Sequence, residues 1–340
     1  MKNTLSILLL ILLIVLVTIS CNLDADEGLF RQISKSEPVV DVGRITLLHI
    51  DTNDIYALTS YRGLQKYNTV TKYWLTTSIR PSDLDNDLNP ITKANYTSGT
   101  YYFTTMASED DNSNLYSYDP SADPAVELVS SGFQVIQMDT VSNLMLAVIV
   151  DELKISPIDD QTTAFNVTGF MDYPWMIAQD ENVVLISGRT VADPDVYAHT
   201  LFNSTTPVSI TGIDNPIVAF RFEGGNYILV SSDGRVWKGT NPTELTTTET
   251  ISFPVDGITG KPIPTFFYDD KLYLQGTSAF YAIHMDGTVD TIEDGFATNL
   301  RSTSFKVTSF LYDGAVLYGG TAKNGIFKVT DLAGDVVEWL

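Results

Sequence analysis

The chain has 340 residues, 42 acidic against 20 basic, and a formal net charge of −22. So negative a body repels nucleic acid and anionic lipid surfaces, which excludes both as partners recognised by charge. It carries one cysteine, so an internal disulfide is excluded as well.

The chain opens "MKNTLSILLLILLIVLVTISC". Lys2 and the amino terminus form a short positive region. Leu5 to Ile19 follows without a charge, which is the length of a secretory h-region and short of the roughly 20 apolar residues that a membrane-spanning helix needs. The stretch Val17-Thr18-Ile19-Ser20-Cys21 resembles the bacterial lipobox, although Thr18 stands where leucine is commonest. That resemblance implies cleavage before Cys21, a diacylglyceryl thioether on its sulfur, and acylation of the new amino terminus. A thiolate suits this chemistry because it is the strongest side-chain nucleophile, and two or three acyl chains anchor stably where one does not. On this reading residues 1–20 are a signal peptide. Removing Lys2 leaves 19 basic against 42 acidic residues, so the mature charge is −23.

Residues 21–43 read as the lipidated cysteine and a flexible tether. Residues 22–38, "NLDADEGLFRQISKSEP", are polar and aperiodic; as a coil they span roughly 20–25 Å and at full stretch about 60 Å. "PVVDV" at 38–42 is a candidate extra strand.

Residues 44–340 form one repeat domain. An apolar run begins at Ile55, Tyr101, Leu144, Val183, Tyr227, Leu272 and Val316, with gaps of 46, 43, 39, 44, 45 and 44. Before each lies another apolar run and a tight turn. After each come a loop and a third run: "LQKYN", "LYSYD", "LKISP", "VYAHT", "VWKGT", "FYAIH", "IFKVT". A fourth follows in most units, such as "KYWLTTS" and "DVVEWL". The runs are short, rich in β-branched and aromatic residues, and bounded by Gly, Pro, Asn and Asp, which predicts strands. The fold class is therefore all-β. Seven units with this period resemble a β-propeller of seven four-stranded blades. The third-to-fourth-strand half, as in "LQKYNTVTKYWL", resembles the generic quinoprotein-type unit. Tryptophan occupies the last strand only in the first and last units, at Trp74 and Trp339, and no cofactor is implied.

In each unit the strands are labelled a to d. The a–b turns are short, as in "DTND", "EGGN", "DDK" and "DG". The long loops belong to the b–c and d–a connections, which share the opposite face, and such loops are where repeat folds bind. Of eight arginines, Arg62, Arg189 and Arg235 are expected in b–c loops, Arg80 and Arg301 in d–a loops, and Arg44 just ahead of the first strand. Their planar forks suit carboxylate or phosphate. The alternative is that they pair with nearby aspartates and fix the loops, which the recurring Gly-Arg of "SGRT" and "SDGR" favours. Trp175, in "DYPW", is expected at a d–a link and offers a stacking surface.

Catalytic constellations are sparse. His199 aligns with Tyr67, Tyr118, Ile283 and Val329 and is expected to pack; His49 and His284 fall toward the short-turn face. With Cys21 consumed by lipid, a Cys/His metal site or cysteine nucleophile is excluded. "SDLDNDLN" begins like a calcium loop but has Leu88 at its sixth position and Ala94 at its twelfth, so it is no EF-hand. No metal ligand set is assigned. The resulting expectation is a lipid-anchored cell-envelope propeller, outer membrane favoured over inner. It would bind a protein partner, or secondarily a glycan, through its long-loop face as a non-catalytic scaffold. The alternative is an envelope enzyme using the carboxylates Asp83, Asp85, Asp110 and Asp111.

Overall fold

The structure is a computed structural model. It describes residues 44–51, 54–60, 63–68, 70, 73–76, 91–105, 114–121, 126–130, 134–139, 142–149, 152–203, 206–251, 261–276, 279–292, 306–323, 325–332 and 337–340. The signal and tether segments, Cys21, the 38–42 strand candidate, Arg62, Arg80, Arg301, Asp83–Asp87, Asp110 and Asp111 lie outside them.

Seven four-stranded antiparallel sheets follow one another along the chain, each built from four consecutive strands. Blade 1 holds β1 (Ile45–Asp51), β2 (Asp54–Thr59), β3 (Gly63–Asn68) and β4 (Tyr73–Thr76). Blade 2 holds β5 (Ile91–Thr97), β6 (Thr100–Thr105), β7 (Leu115–Tyr118) and β8 (Val126–Ser130). Blade 3 holds β9 (Gln134–Met138), β10 (Leu144–Ile149), β11 (Glu152–Pro157) and β12 (Phe165–Asn166). Blade 4 holds β13 (Phe170–Ala178), β14 (Val183–Thr190), β15 (Tyr197–Asn203) and β16 (Thr206–Ile210). Blade 5 holds β17 (Ile217–Glu223), β18 (Asn226–Ser231), β19 (Arg235–Gly239) and β20 (Thr246–Thr250). Blade 6 holds β21 (Thr265–Tyr268), β22 (Lys271–Gln275), β23 (Phe280–His284) and β24 (Val289–Ile292). Blade 7 holds β25 (Val307–Tyr312), β26 (Leu317–Thr321), β27 (Ile326–Val329) and β28 (Glu338–Trp339). Among the described residues the only helical segment is a 3-10 turn, Gln161–Thr163. The expected seven-bladed, all-β propeller is the observed fold.

The core shows why the ring forms. It divides into clusters that each join two neighbouring blades. Leu47, Leu58 and Leu64 of blade 1 pack on Ile91, Tyr101 and Phe103 of blade 2. Clusters of the same kind join blades 2 and 3, 3 and 4, 4 and 5, 5 and 6, and 6 and 7. A seventh joins Tyr318 and Ile326 of blade 7 to Ile45, Leu48 and Ile55 of blade 1. A four-stranded sheet has two apolar faces, so each blade needs two neighbours, and only a closed ring supplies them to all seven. Closure uses packing plus the Thr308 hydroxyl, which donates to the Ile45 carbonyl at 2.9 Å. Gly320 lets this seam close: a Cβ there would lie 2.5 Å from Ser309 Oγ and 2.7 Å from Ile45 Cγ2.

The first strands touch one another around the axis, β1 against β5 and β25, β5 against β9, β9 against β13, and β13 against β17. The last strands are outermost; β20 is exposed along its whole length. Polar side chains bridge neighbouring inner strands. Gln137 accepts from the Met176 N–H at 2.9 Å and donates to its carbonyl at 2.5 Å. Gln179 repeats the bridge to Phe222, at 2.7 Å both ways. Asn95 is buried and donates to the carbonyls of Asp139 and Ser142.

Turn chemistry fits the two ends. Three a–b hairpins have positive φ at both central residues, at Ser98-Gly99, Gly224-Gly225 and Asp269-Asp270, the geometry that matches strand twist. On the same face the c–d connections start with an Asx turn: Asn68, Asp119, Asp160, Asn241 and Asp286 each accept the backbone N–H two residues on.

Candidate site at the channel mouth

The inner strands begin on the face where the d–a links arrive and the b–c turns lie. Five of them carry one residue more than the partner strand near this end, at Thr46, Thr92, Ile136, Val218 and Thr308. In blade 4 two extra residues fall between Met171 and Trp175. Such bulges turn side chains out of the sheet planes, and here they do so around the mouth of the central channel.

Trp175 and Lys261 meet there, and Lys93 comes within reach of the charge of Lys261. Trp175 stands at the blade 4 bulge, half-buried. Lys261 lies in the link from blade 5 to blade 6; the Ile263 N–H donates to the Val218 carbonyl at 2.9 Å, which lays that link along the start of the blade 5 inner strand. The Lys261 Nζ sits 4.7 Å from the centre of the Trp175 ring, within cation–π range. Lys93 is on the blade 2 inner strand, across the axis. Burial pushes its amine below the usual lysine range, and the positive charge of Lys261 pushes it further the same way. Blades 2 and 5 are not neighbours, so these amines sense one another only across the channel. Among the described residues no carboxylate pairs with either amine. Arg44 and Lys306, both exposed, immediately precede the inner strands of blades 1 and 7, so described residues that lead into these inner strands add positive charge at this end.

Lys93 escaped the sequence reading. Its signal is positional. After the bulge it pairs with Thr104, as Leu47 pairs with Leu58, Ala219 with Val230 and Ser309 with Gly320. Those three sisters are buried, whereas the post-bulge residue of blade 3, Gln137, is polar and half-buried like Lys93.

The expected site residues are placed as follows. Trp175 is on an inner strand and not in a link, because β13 runs through the bulge from Phe170. Arg189 is within β14 and not in a b–c loop, because β14 pairs with β15 as far as Arg189 opposite Tyr197. Its guanidinium lies 5.8 Å from the Tyr197 ring centre. Arg235 is the first residue of β19; its Nε reaches Asp233 Oδ2 at 2.7 Å. Asp233 also accepts from Asn215 Nδ2, Ser231 Oγ and the Arg235 N–H. Arg235 therefore fixes a turn, the alternative stated for the arginines. The two Gly-Arg pairs do not share a job. Gly188 is small because a Cβ would lie 2.5 Å from that of Pro174, whereas Gly234 has φ +88° in a tight turn and would drive a Cβ to 2.0 Å from the Ile251 carbonyl. Nor are the b–c connections uniformly long: Thr59–Gly63, Ser231–Arg235 and Thr321–Gly325 are closed by the hydroxyl of the first residue on the carbonyl of the fifth.

His199 packs, as expected, but four residues away from the expected register. It pairs with Ser187 at the b–c end of the blade, whereas Tyr67 pairs with Ile55 and Tyr118 with Tyr101 at the other. Both its nitrogens are bonded, to Ser187 Oγ at 3.0 Å and the Ile213 carbonyl at 3.1 Å. His49 stacks on Tyr96 at 3.7 Å, and His284 contacts Asp290 at 2.7 Å; both lie on the short-turn side. Among the described residues no three His, Cys, Asp or Glu side chains are grouped to hold a metal.

Seven such sheets around an axis define a seven-bladed β-propeller. No protein-family model matches the chain, and no curated protein matches it in sequence. Solved structures do match in shape. The computationally designed Ika8 protein is 11% identical with a TM-score of 0.52, covering 86% of this chain and 98% of its own. YCF48 bound to D1 peptide is 10% identical with a TM-score of 0.53, covering 85% and 94%. PorZ, a surface component of the type-IX secretion system of Porphyromonas gingivalis, is 9% identical with a TM-score of 0.48; the match covers 88% of this chain and 38% of PorZ. Identities this low establish the fold alone.

Proposed function

We propose that the protein is a lipid-anchored propeller of the bacterial cell envelope, held at Cys21 and tethered through residues 22–43. It serves as a non-catalytic scaffold that binds a protein partner on its loop face. The observation that carries this reading is the Lys261–Trp175 contact at the channel mouth of an acidic chain, with Lys93 on the blade 2 inner strand within reach of the Lys261 charge. Charge and an aromatic surface are set there for recognition. YCF48, a structure of the same overall shape, was solved with a peptide bound, which supports peptide binding as a use of such rings by analogy only. The repeat is of the quinoprotein-like type in its c–d half, and we assign it no quinone. A tether of this length keeps the ring near the membrane while leaving its loop face free to meet a partner.

The test is capture of the full-length lipidated protein from gently solubilised membranes, followed by mass spectrometry. The reading predicts a stoichiometric protein partner that is retained with Arg235→Ala and lost with the pair Lys93→Met and Lys261→Met. Cys21→Ser is expected to release the chain from the membrane fraction and to abolish palmitate incorporation. A soluble, unlabelled wild-type chain would sink the anchor, and capture with no partner at stoichiometry would sink the scaffold.

A further inference from the structure

We infer that the Lys93–Lys261–Trp175 cluster is a carboxylate-binding site that receives an acidic segment of the partner protein. This rests on the scaffold reading above and names the chemistry of its contact.

Three features lead there. First, the two amines approach from opposite sides of the channel mouth and repel one another. An anion between them is attracted by both amines, so the two contacts add. Second, the amines are prepared for a partner. Lys261 is held over the Trp175 ring, which restrains a long side chain that would otherwise lose rotamer freedom on binding. Lys93 is half-buried, so its contact with an anion is partly shielded from water. Third, the surroundings select the kind of anion. The chain carries a net charge of −22, which repels any polyanion approaching as a whole. At physiological salt, fields decay over about 8 Å, so a carboxylate in contact with the amines senses them more than charges farther away. A carboxylate on a short, otherwise neutral segment meets both conditions; a nucleic acid or a phosphate-rich polymer does not. The indole then offers a flat surface to the carbon atoms beside the carboxylate. The binding is non-covalent.

The experiment uses the full-length lipidated protein in detergent micelles at fixed ionic strength. Isothermal titration is performed with a blocked Gly-Asp-Gly-Asp-Gly peptide, its Asn counterpart, free succinate and inorganic phosphate. The inference predicts that the Asp peptide binds at least tenfold more tightly than the Asn peptide and more tightly than phosphate. Lys93→Met and Lys261→Met should each weaken it by about fivefold to tenfold, in keeping with loss of one charge-assisted contact. Trp175→Ala should weaken it by a smaller factor, because it acts partly through Lys261. Succinate binding as tightly as the peptide would keep the carboxylate site and assign it to a free diacid; peptide binding alone assigns it to a presented segment. Equal binding of the Asp and Asn peptides overturns the inference. So does undiminished binding by Lys93→Met in a variant that unfolds cooperatively at or above the wild-type midpoint. Partner capture that survives the double lysine variant would leave the scaffold standing and remove this site from it.

Discussion

Acidification should destabilise the packing of blade 4 on blade 5 through one side chain. His199 is 1% exposed, and its bonds define its tautomer. Ile213 offers a carbonyl, so Nε2 carries the proton. Nδ1 then accepts from the Ser187 hydroxyl, whose oxygen accepts the Ile217 N–H at 2.9 Å. Every group is satisfied only while the imidazole is neutral. A second proton on Nδ1 would face the Ser187 hydroxyl proton, which must then turn away and lose its acceptor. Burial pushes the His199 value down to about 4 against 6.5 for an unperturbed histidine, while the Ile213 carbonyl and Asp214 pull the other way. The sign follows: the unfolded chain takes up a proton first, so stability contributed above pH 6.5 is lost as pH falls toward 4. Between pH 7 and pH 5 the loss is about 2 kcal/mol, and it approaches 3 kcal/mol near pH 4. His49 is lowered by burial too and contributes in the same direction, so the comparison must be with a variant. The assay is urea unfolding of wild type and His199→Gln at pH 7 and pH 5. Glutamine can donate to Ile213 but does not titrate, so the wild type should lose about 2 kcal/mol more than the variant over this interval. Equal losses in the two proteins would refute the reasoning.

Other outcomes follow from packing. Gly320→Val should wedge the seam between blades 7 and 1 and lower stability by about 1–3 kcal/mol, read as a lower thermal midpoint by circular dichroism; no change would mean that this seam does not hold the ring closed. Gln137→Ala strands the Met176 N–H and carbonyl and should cost roughly 1–3 kcal/mol in chemical denaturation, with Gln179→Ala close to it; Gln137→Glu keeps the acceptor but sets a carboxylate oxygen against the Met176 carbonyl, so it should not restore the loss at neutral pH. Lys93→Met should raise the midpoint, since it replaces a half-buried amine repelled by Lys261 with an apolar chain of similar size; a fall would show that the lysine serves the fold.

Much of this architecture can be read without coordinates. The 44-residue beat of apolar runs appears as seven blades, because alternation and turn residues are local signals. "DDK" and "EGGN" mark turns where positive φ is needed, and the structure has them there. What escaped is relational. The register of blade 4 slips by four residues for His199, since β14 and β15 extend past the expected loop and strand length is set by pairing, not by composition. The Gly-Arg pairs look alike in sequence and differ in cause, one crowded by Pro174 and one turned by backbone conformation. The cluster at the mouth is the hardest case. Lys93 and Lys261 are 168 positions apart by number, and only closure of the ring brings their charges together. Trp175 was visible as a candidate because aromatic residues stand out; its partners were not.

The most direct test of the central claim is site-specific photocrosslinking in living cells. A benzoylphenylalanine is placed at position 175, at the channel mouth, or at position 268, on the opposite face beside the Asp269-Asp270 turn. Each full-length lipidated variant is irradiated in the native envelope. The account predicts one discrete protein adduct from position 175 and none from position 268. An adduct from position 268 with none from position 175 would contradict it.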